Sequence, residues 1–161
     1  MPRPIANSSS PWRNARRLRP LNVPPRILVA EDDPEMRKLI VESLREDGND
    51  VQETPDGGRL LVELTHGTHC NYENVDLIVS DIRMPVCTGL QIVEALRAAH
   101  CAVPIVLMTA FGDDQTRAHA ESLGAVLFDK PFALDDLRTA VLAMLAREHG
   151  PASPAVPANE A

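Results

Sequence analysis

Short apolar runs at residues 27–30, 75–80, 104–108 and 125–128, with a more polar one at 50–54, alternate along this chain with amphipathic stretches. A run such as Val75-Asp76-Leu77-Ile78-Val79-Ser80 is too short for a globular helix and rich in β-branched residues, so it reads as a buried strand. The intervening stretches read as helices. Asp33-Pro34 opens the first as N-cap and first-turn proline, Met36, Leu39, Ile40 and Leu44 share one face, and Asp47-Gly48 ends it. The second runs over about 56–65 with Leu60, Leu61 and Leu64 expected inside. Thr88-Gly89 opens a third carrying Leu90, Val93 and Leu96. A polar fourth covers about 113–123 and stops at Gly124. Leu134, Leu137, Val141, Leu142 and Leu145 mark the last. Strict strand–helix alternation leaves few topologies. It predicts an α/β fold with a parallel, doubly wound sheet, right-handed crossovers and helices on both faces.

The chain has 161 residues, enough for one domain with a full core. Residues 1–25 are dominated by Pro, Ser, Asn and Arg without an apolar period and are expected to be disordered, as is the Pro/Ala tail over 149–161. Arg3, Arg13, Arg16, Arg17, Arg19 and Arg26 all precede the first acidic residue, so all 23 Asp and Glu lie after Arg26, and the chain as a whole carries a net charge of −7. An acidic body argues against nucleic-acid binding by the domain itself. Cys70, Cys87 and Cys101 form no C-x-x-C pair, which fits a reducing compartment. No apolar stretch reaches spanning length, and the arginines have no apolar segment behind them, so the expected location is the cytoplasm. His66-Gly67-Thr68-His69-Cys70 lacks a second ligand pair and reads as a solvated loop rather than a soft-metal site. Cys87 has no evident cationic neighbour and reads as an inert thiol.

Chemistry concentrates where strands give way to loops. Glu31, Asp32 and Asp33 follow the first strand, Asp81 the third, Thr109 the fourth and Lys130 the fifth. In a parallel sheet these ends share one edge, which is where open α/β sheets bind ligands. A carboxylate there can be a metal ligand, a nucleophile, or both. Crowded carboxylates repel unless a hard cation such as Mg²⁺ joins them, and Mg²⁺ favours phosphoryl oxygens as further ligands. Lys130 can pair with Asp81 or with a phosphoryl group on it, and Thr109 can donate a hydrogen bond to a phosphoryl oxygen. The set suits an aspartate that accepts phosphate.

Ile27-Leu28-Val29-Ala30-Glu31-Asp32-Asp33, Asp81-Ile82-Arg83-Met84-Pro85 with Gly89, Leu107-Met108-Thr109-Ala110 and Lys130-Pro131-Phe132 together resemble the receiver domain of two-component response regulators. The resemblance implies a flavodoxin-like sheet of five parallel strands in order 2-1-3-4-5 with five helices, in a receiver domain over 26–148. It implies Asp81 as phosphoacceptor, and Glu31, Asp32, Asp81 and the backbone carbonyl of Arg83 around Mg²⁺, with Asp32 the more direct contact. It makes Thr109 the switch hydroxyl, Lys130 the phosphate-sensing lysine, and Asp33 a helix cap. A cis Lys130–Pro131 bond is common in the family. Leu127 stands where the family usually carries an aromatic switch residue, three before the lysine. Arg83 and Phe111 flank the path of an attacking water, and we hypothesise that they slow loss of the phosphoryl group.

The implied function is a phosphorylation-dependent switch, supplied by a histidine kinase or phosphotransfer protein. It is no enzyme beyond its own phosphorylation and dephosphorylation. Its downstream protein is unknown. Signalling is expected by protein contact or phosphate relay, with a possible homodimer through the helix 4–strand 5–helix 5 face. The residues after about Arg147 are too few and too Pro/Ala-rich for a DNA-reading helix pair. The alternative is a non-phosphorylated interaction module on the same scaffold. A phosphatase of the haloacid-dehalogenase type would need a second Asp where Arg83 stands.

Overall fold

The computed structural model describes residues 22–65 and 74–148. The expected loop at His66–Cys70 and nearly all of both expected tails lie outside these residues; 22–25 carry no helix or strand. In chain order the elements are β1 (Arg26–Ala30), α1 (Pro34–Glu46), β2 (Asp50–Thr54), α2 (Gly57–Thr65), β3 (Leu77–Asp81), α3 (Gly89–Ala98), β4 (Ile105–Thr109), α4 (Asp114–Ser122), β5 (Val126–Asp129) and α5 (Leu134–Glu148). The sheet is β2-β1-β3-β4-β5, and every pairing is parallel. This is the flavodoxin-like order, with β1 and β3 side by side at the point where the winding reverses.

Alternation along the strands feeds two cores. Ile27, Val29, Leu77, Val79, Val106 and Met108 pack toward α1 and α5. Leu28, Ala30, Ile78, Ile105 and Leu107 pack toward α2, α3 and α4. Strands buried on both faces explain why they read as nearly continuous apolar runs. The helix ends match their sequence signals. Asp33 caps α1 by accepting from the backbone N–H of Glu35 and Met36, and Asp47 and Gly48 (φ 87°) end it. Thr88 and Gln91 form a reciprocal capping box at α3. Asp113 caps α4, and Gly124 (φ 70°) follows its end.

Four details differ from the sequence expectation. The third strand begins at Leu77 rather than Val75: Asp76 meets Arg26 with its N–H, which donates to the Arg26 carbonyl at 2.8 Å, and with its side chain, whose Oδ2 accepts from the Arg26 N–H at 2.7 Å in place of a backbone carbonyl. Leu39 is exposed, because α1 turns Ile40, Val41 and Leu44 inward and Leu39 lies on the far flank of that stripe. Leu61 is exposed while Leu60 and Leu64 are fully buried. Leu142 is exposed because the inward stripe of α5 is Leu137, Val141 and Leu145, four residues apart.

Close backbone approach fixes two glycines near the carboxyl edge. A Cβ on Gly89 would stand 2.5 Å from the Asp81 carbonyl oxygen, so glycine lets α3 start directly against the end of β3. A Cβ on Gly57 would fall 1.9 Å from the Cys87 carbonyl oxygen, which packs the start of α2 against the β3–α3 loop.

Candidate functional site at the carboxyl edge of the sheet

Each strand delivers its side chain at its end. Glu31 and Asp32 leave β1, Asp81 is the last residue of β3, Thr109 the last of β4, and Lys130 follows β5. The register places Asp81 beside Met108 and Thr109 beside Asp129, so these ends lie at one level. Oxygens of Glu31, Asp32 and Asp81 all lie within 4.8 Å of one another. Glu31, Asp81 and Thr109 are buried, and Asp32 is open to solvent. Sequence reasoning had these residues converge on one edge, and the structure brings them together there.

Lys130 binds the cluster from inside. Its Nζ donates to Glu31 Oε2 at 2.7 Å and to Asp81 Oδ2 at 3.4 Å. Glu31 Oε1 accepts from Asp33 N–H at 3.2 Å, so both of its oxygens already have protein donors. Asp81 Oδ1 has a long contact, 3.4 Å, from the Arg83 N–H. Burial raises the pKa of Asp81 above the ordinary carboxylate value; Lys130 and the Arg83 N–H oppose this, and the charge of Asp32 adds to it. Burial likewise raises Glu31, against Lys130 and the Asp33 N–H. For Lys130, burial pulls the pKa down, but the bond to Glu31 and the charge of Asp81 outweigh it and hold the ammonium above the usual lysine value.

Three carboxylates facing one ammonium leave excess negative charge in a confined space. The donor set is all oxygen and small, as a hard divalent cation requires. Asp32 is exposed and Asp81 keeps an oxygen with only one weak donor, so these two are the freer ligands. The residues fit Mg²⁺.

Around this centre, the Thr109 hydroxyl accepts from Phe111 N–H at 3.2 Å, and the Lys130 N–H donates to the Thr109 carbonyl at 2.7 Å. The Lys130–Pro131 bond is cis. The Arg83 guanidinium stacks 4.7 Å from the centre of the Phe111 ring, which is 70% exposed. Leu127 packs into the core facing α2, α3 and α4, whereas Phe128 packs on the opposite face, edge-on to Phe132 at 5.6 Å. Adjacent strand residues point to opposite faces, so Phe128 cannot take over the position of Leu127. Cys87 is half-buried, and Cys101 is buried.

Sequence reasoning missed Arg37 and Glu53. The Arg37 Nη1 donates to the Glu31 carbonyl at 2.8 Å and its Nε to Glu53 Oε2 at 3.2 Å. It also missed the pairing of Arg117 with Asp129, which ties α4 to the end of β5. A charged residue on an exposed helical turn gives no one-dimensional sign of such a partner.

Fold and acidic edge together define a class: doubly wound modules that gather carboxylates and a lysine at the carboxyl ends of their strands. The family model for the response regulator receiver domain matches residues 27–142, and the chain belongs to that family. Among curated proteins it is 32% identical over 120 residues to the transcriptional regulatory protein PdtaR of Mycobacterium tuberculosis, covering 74% of this chain and 56% of that protein. The chain thus spans little more than half the length of that relative. Among solved structures it matches the receiver domain of Francisella response regulator 1452 with a TM-score of 0.69 and 27% identity, over 76% of this chain and 98% of that one. It also matches the response regulator TrrA of Thermotoga maritima, solved with Mg²⁺ and BeF, with a TM-score of 0.63 and 28% identity, over 74% and 98% of the two chains. This chain carries the receiver domain of a two-component response regulator, and its acidic cluster fits the Mg²⁺ site of such domains. Among the described residues no helix is long and apolar enough to cross a membrane.

Proposed function

We propose that residues 26–148 form a phosphorylation-dependent switch in which Asp81 accepts a phosphoryl group from the phosphohistidine of a kinase or phosphotransfer protein. One observation carries this reading: three carboxylates from two strand ends meet one lysine at a solvent-open edge. Asp81 attacks phosphorus in line. The bond from the histidine nitrogen to phosphorus breaks, and an acyl phosphate forms on Asp81. Asp32, Asp81 and the Arg83 carbonyl, with Glu31 beside them, would hold Mg²⁺, which would supply charge neutralisation to the phosphoryl oxygens. Lys130 then moves its charge from the Asp81 carboxylate toward the phosphoryl oxygens. Thr109 exchanges the Phe111 N–H for a phosphoryl oxygen, to which it donates. Water later releases phosphate, so the chemistry is confined to the domain's own modification.

These exchanges bias two conformations of the domain, and the natural readout face is α4, β5 and α5. A downstream protein, or a second copy of the chain, reads that face; the acidic body itself binds no nucleic acid. The response regulator TrrA, on a similar fold, was solved with Mg²⁺ and BeF, which supports reading this domain as one that takes a divalent metal. Leu127 favours one competing reading, an interaction module that is never phosphorylated. A small phosphodonor with Mg²⁺ separates the two. Wild type is expected to gain one phosphoryl mass and Asp81→Asn none. A wild-type chain that gains no mass and binds no Mg²⁺ would leave the interaction module standing.

A further inference from the structure

We infer that Arg37 is a positioning residue for the metal site, and that Glu53 keeps its charge from competing with the metal. The inference rests on the Mg²⁺ reading above. The Glu31 backbone is pinned on both sides: its N–H donates to the Thr54 carbonyl at 3.2 Å, and its carbonyl accepts from Arg37 Nη1 at 2.8 Å. That carbonyl shares a rigid peptide plane with the N–H of Asp32. Fixing its direction therefore fixes the plane from which the Asp32 side chain departs. Arg37 thus acts on the exposed ligand through the backbone, without touching either carboxylate.

The charge of Arg37 poses a second question. A guanidinium bonded to the backbone carbonyl of one of the three acidic residues is a built-in rival for any dissolved cation. Here it is turned away. Its Nε pairs with Glu53 Oε2 at 3.2 Å, on the neighbouring strand β2, and its side chain is 19% exposed. The fork holds one carbonyl and one carboxylate, so its geometry is used while its charge is cancelled. Lysine cannot reproduce this, since a point-like ammonium does not span both acceptors in a fixed plane.

Titration calorimetry of Mg²⁺ into the full chain tests this, with melting temperatures in EDTA as the control for folding. Arg37→Gln is expected to weaken Mg²⁺ binding about tenfold, the low end for groups that orient metal ligands. Glu53→Gln is expected to weaken it about threefold by freeing the guanidinium. The double variant is expected to be no weaker than Arg37→Gln, because no competing charge remains. Metal-free melting is expected to stay within a few degrees of wild type. Affinity within twofold of wild type in Arg37→Gln overturns the inference. If Arg37→Gln does not fold, Arg37→Lys decides: weakened Mg²⁺ binding with unchanged metal-free melting supports it, and wild-type affinity overturns it. A wild-type chain without measurable Mg²⁺ binding is a separate outcome, which removes the metal site itself.

Discussion

Lys130 is one ammonium answering to two buried carboxylates. Truncating it leaves Glu31 and Asp81 facing each other, and removing one partner of a buried set is costly. Lys130→Ala is expected to destabilise the metal-free chain by about 2 kcal/mol, less than a sealed pair because Asp32 opens the edge to water. Added Mg²⁺ is then expected to restore more stability to the variant than to wild type. Urea unfolding with and without Mg²⁺ measures both. The Arg83–Phe111 stack makes a second prediction. A cation over an exposed ring is worth about 0.5–1 kcal/mol, enough to bias the stacked arrangement over the open one by roughly two- to fivefold. The double variant Arg83→Ala, Phe111→Ala is expected to shorten the acyl-phosphate lifetime by about that factor. An unchanged decay of phosphorylated protein would remove the stack from the mechanism.

At the scale of elements, α1 and α5 cover one face of the sheet and are tied where Asp47 meets Arg138. Nε and Nη2 of the guanidinium both donate to the Asp47 carboxylate. This fork pulls the Asp47 pKa below the ordinary value. A carboxyl lowered by folding stabilises the fold fully above its unfolded value, and that contribution is lost as pH falls through the folded value. Asp47→Asn is therefore expected to melt lower than wild type at pH 7, with the gap closing as pH is taken below about 4. A gap independent of pH would mean the pair acts by packing alone. The elements themselves were legible because capping residues and short apolar runs are local signals. Asp33, Thr88 and Gly124 act as read. What failed was the angular choice among neighbouring leucines. Leu39, Leu61 and Leu142 each lie close in sequence to a buried residue, and only the neighbouring layer decides which of them turns inward. The start of β3 failed for a related reason: the Asp76 side chain, rather than a backbone carbonyl, accepts the Arg26 N–H, which an apolar pattern does not register.

Across the whole molecule, topology does the gathering. Glu31 and Lys130 are 99 residues apart in sequence and 2.7 Å apart in space. Their meeting was legible because parallel strands all end at one edge, so each strand end names a candidate ligand. Arg37 and Glu53 were not, since their link runs sideways between a helix and a strand without any spacing rule. A ligand bound only by the folded edge stabilises every element behind it. Mg²⁺ at a hundred times its dissociation constant is expected to add about 2.7 kcal/mol, or about 10 °C in melting temperature for a domain of this size, reversed by EDTA. A melting curve indifferent to Mg²⁺ would contradict the metal site. One of the two edge strands, β5, has a further effect. Among the described residues it pairs only with β4, and it spans four residues that end at Asp129, just before Lys130-Pro131. Charge, brevity and an imino acid without a hydrogen to give make a poor template for another molecule's sheet. The rim beside the phosphorylation machinery therefore resists fibril growth, and concentrated receiver is expected to stay dispersed there.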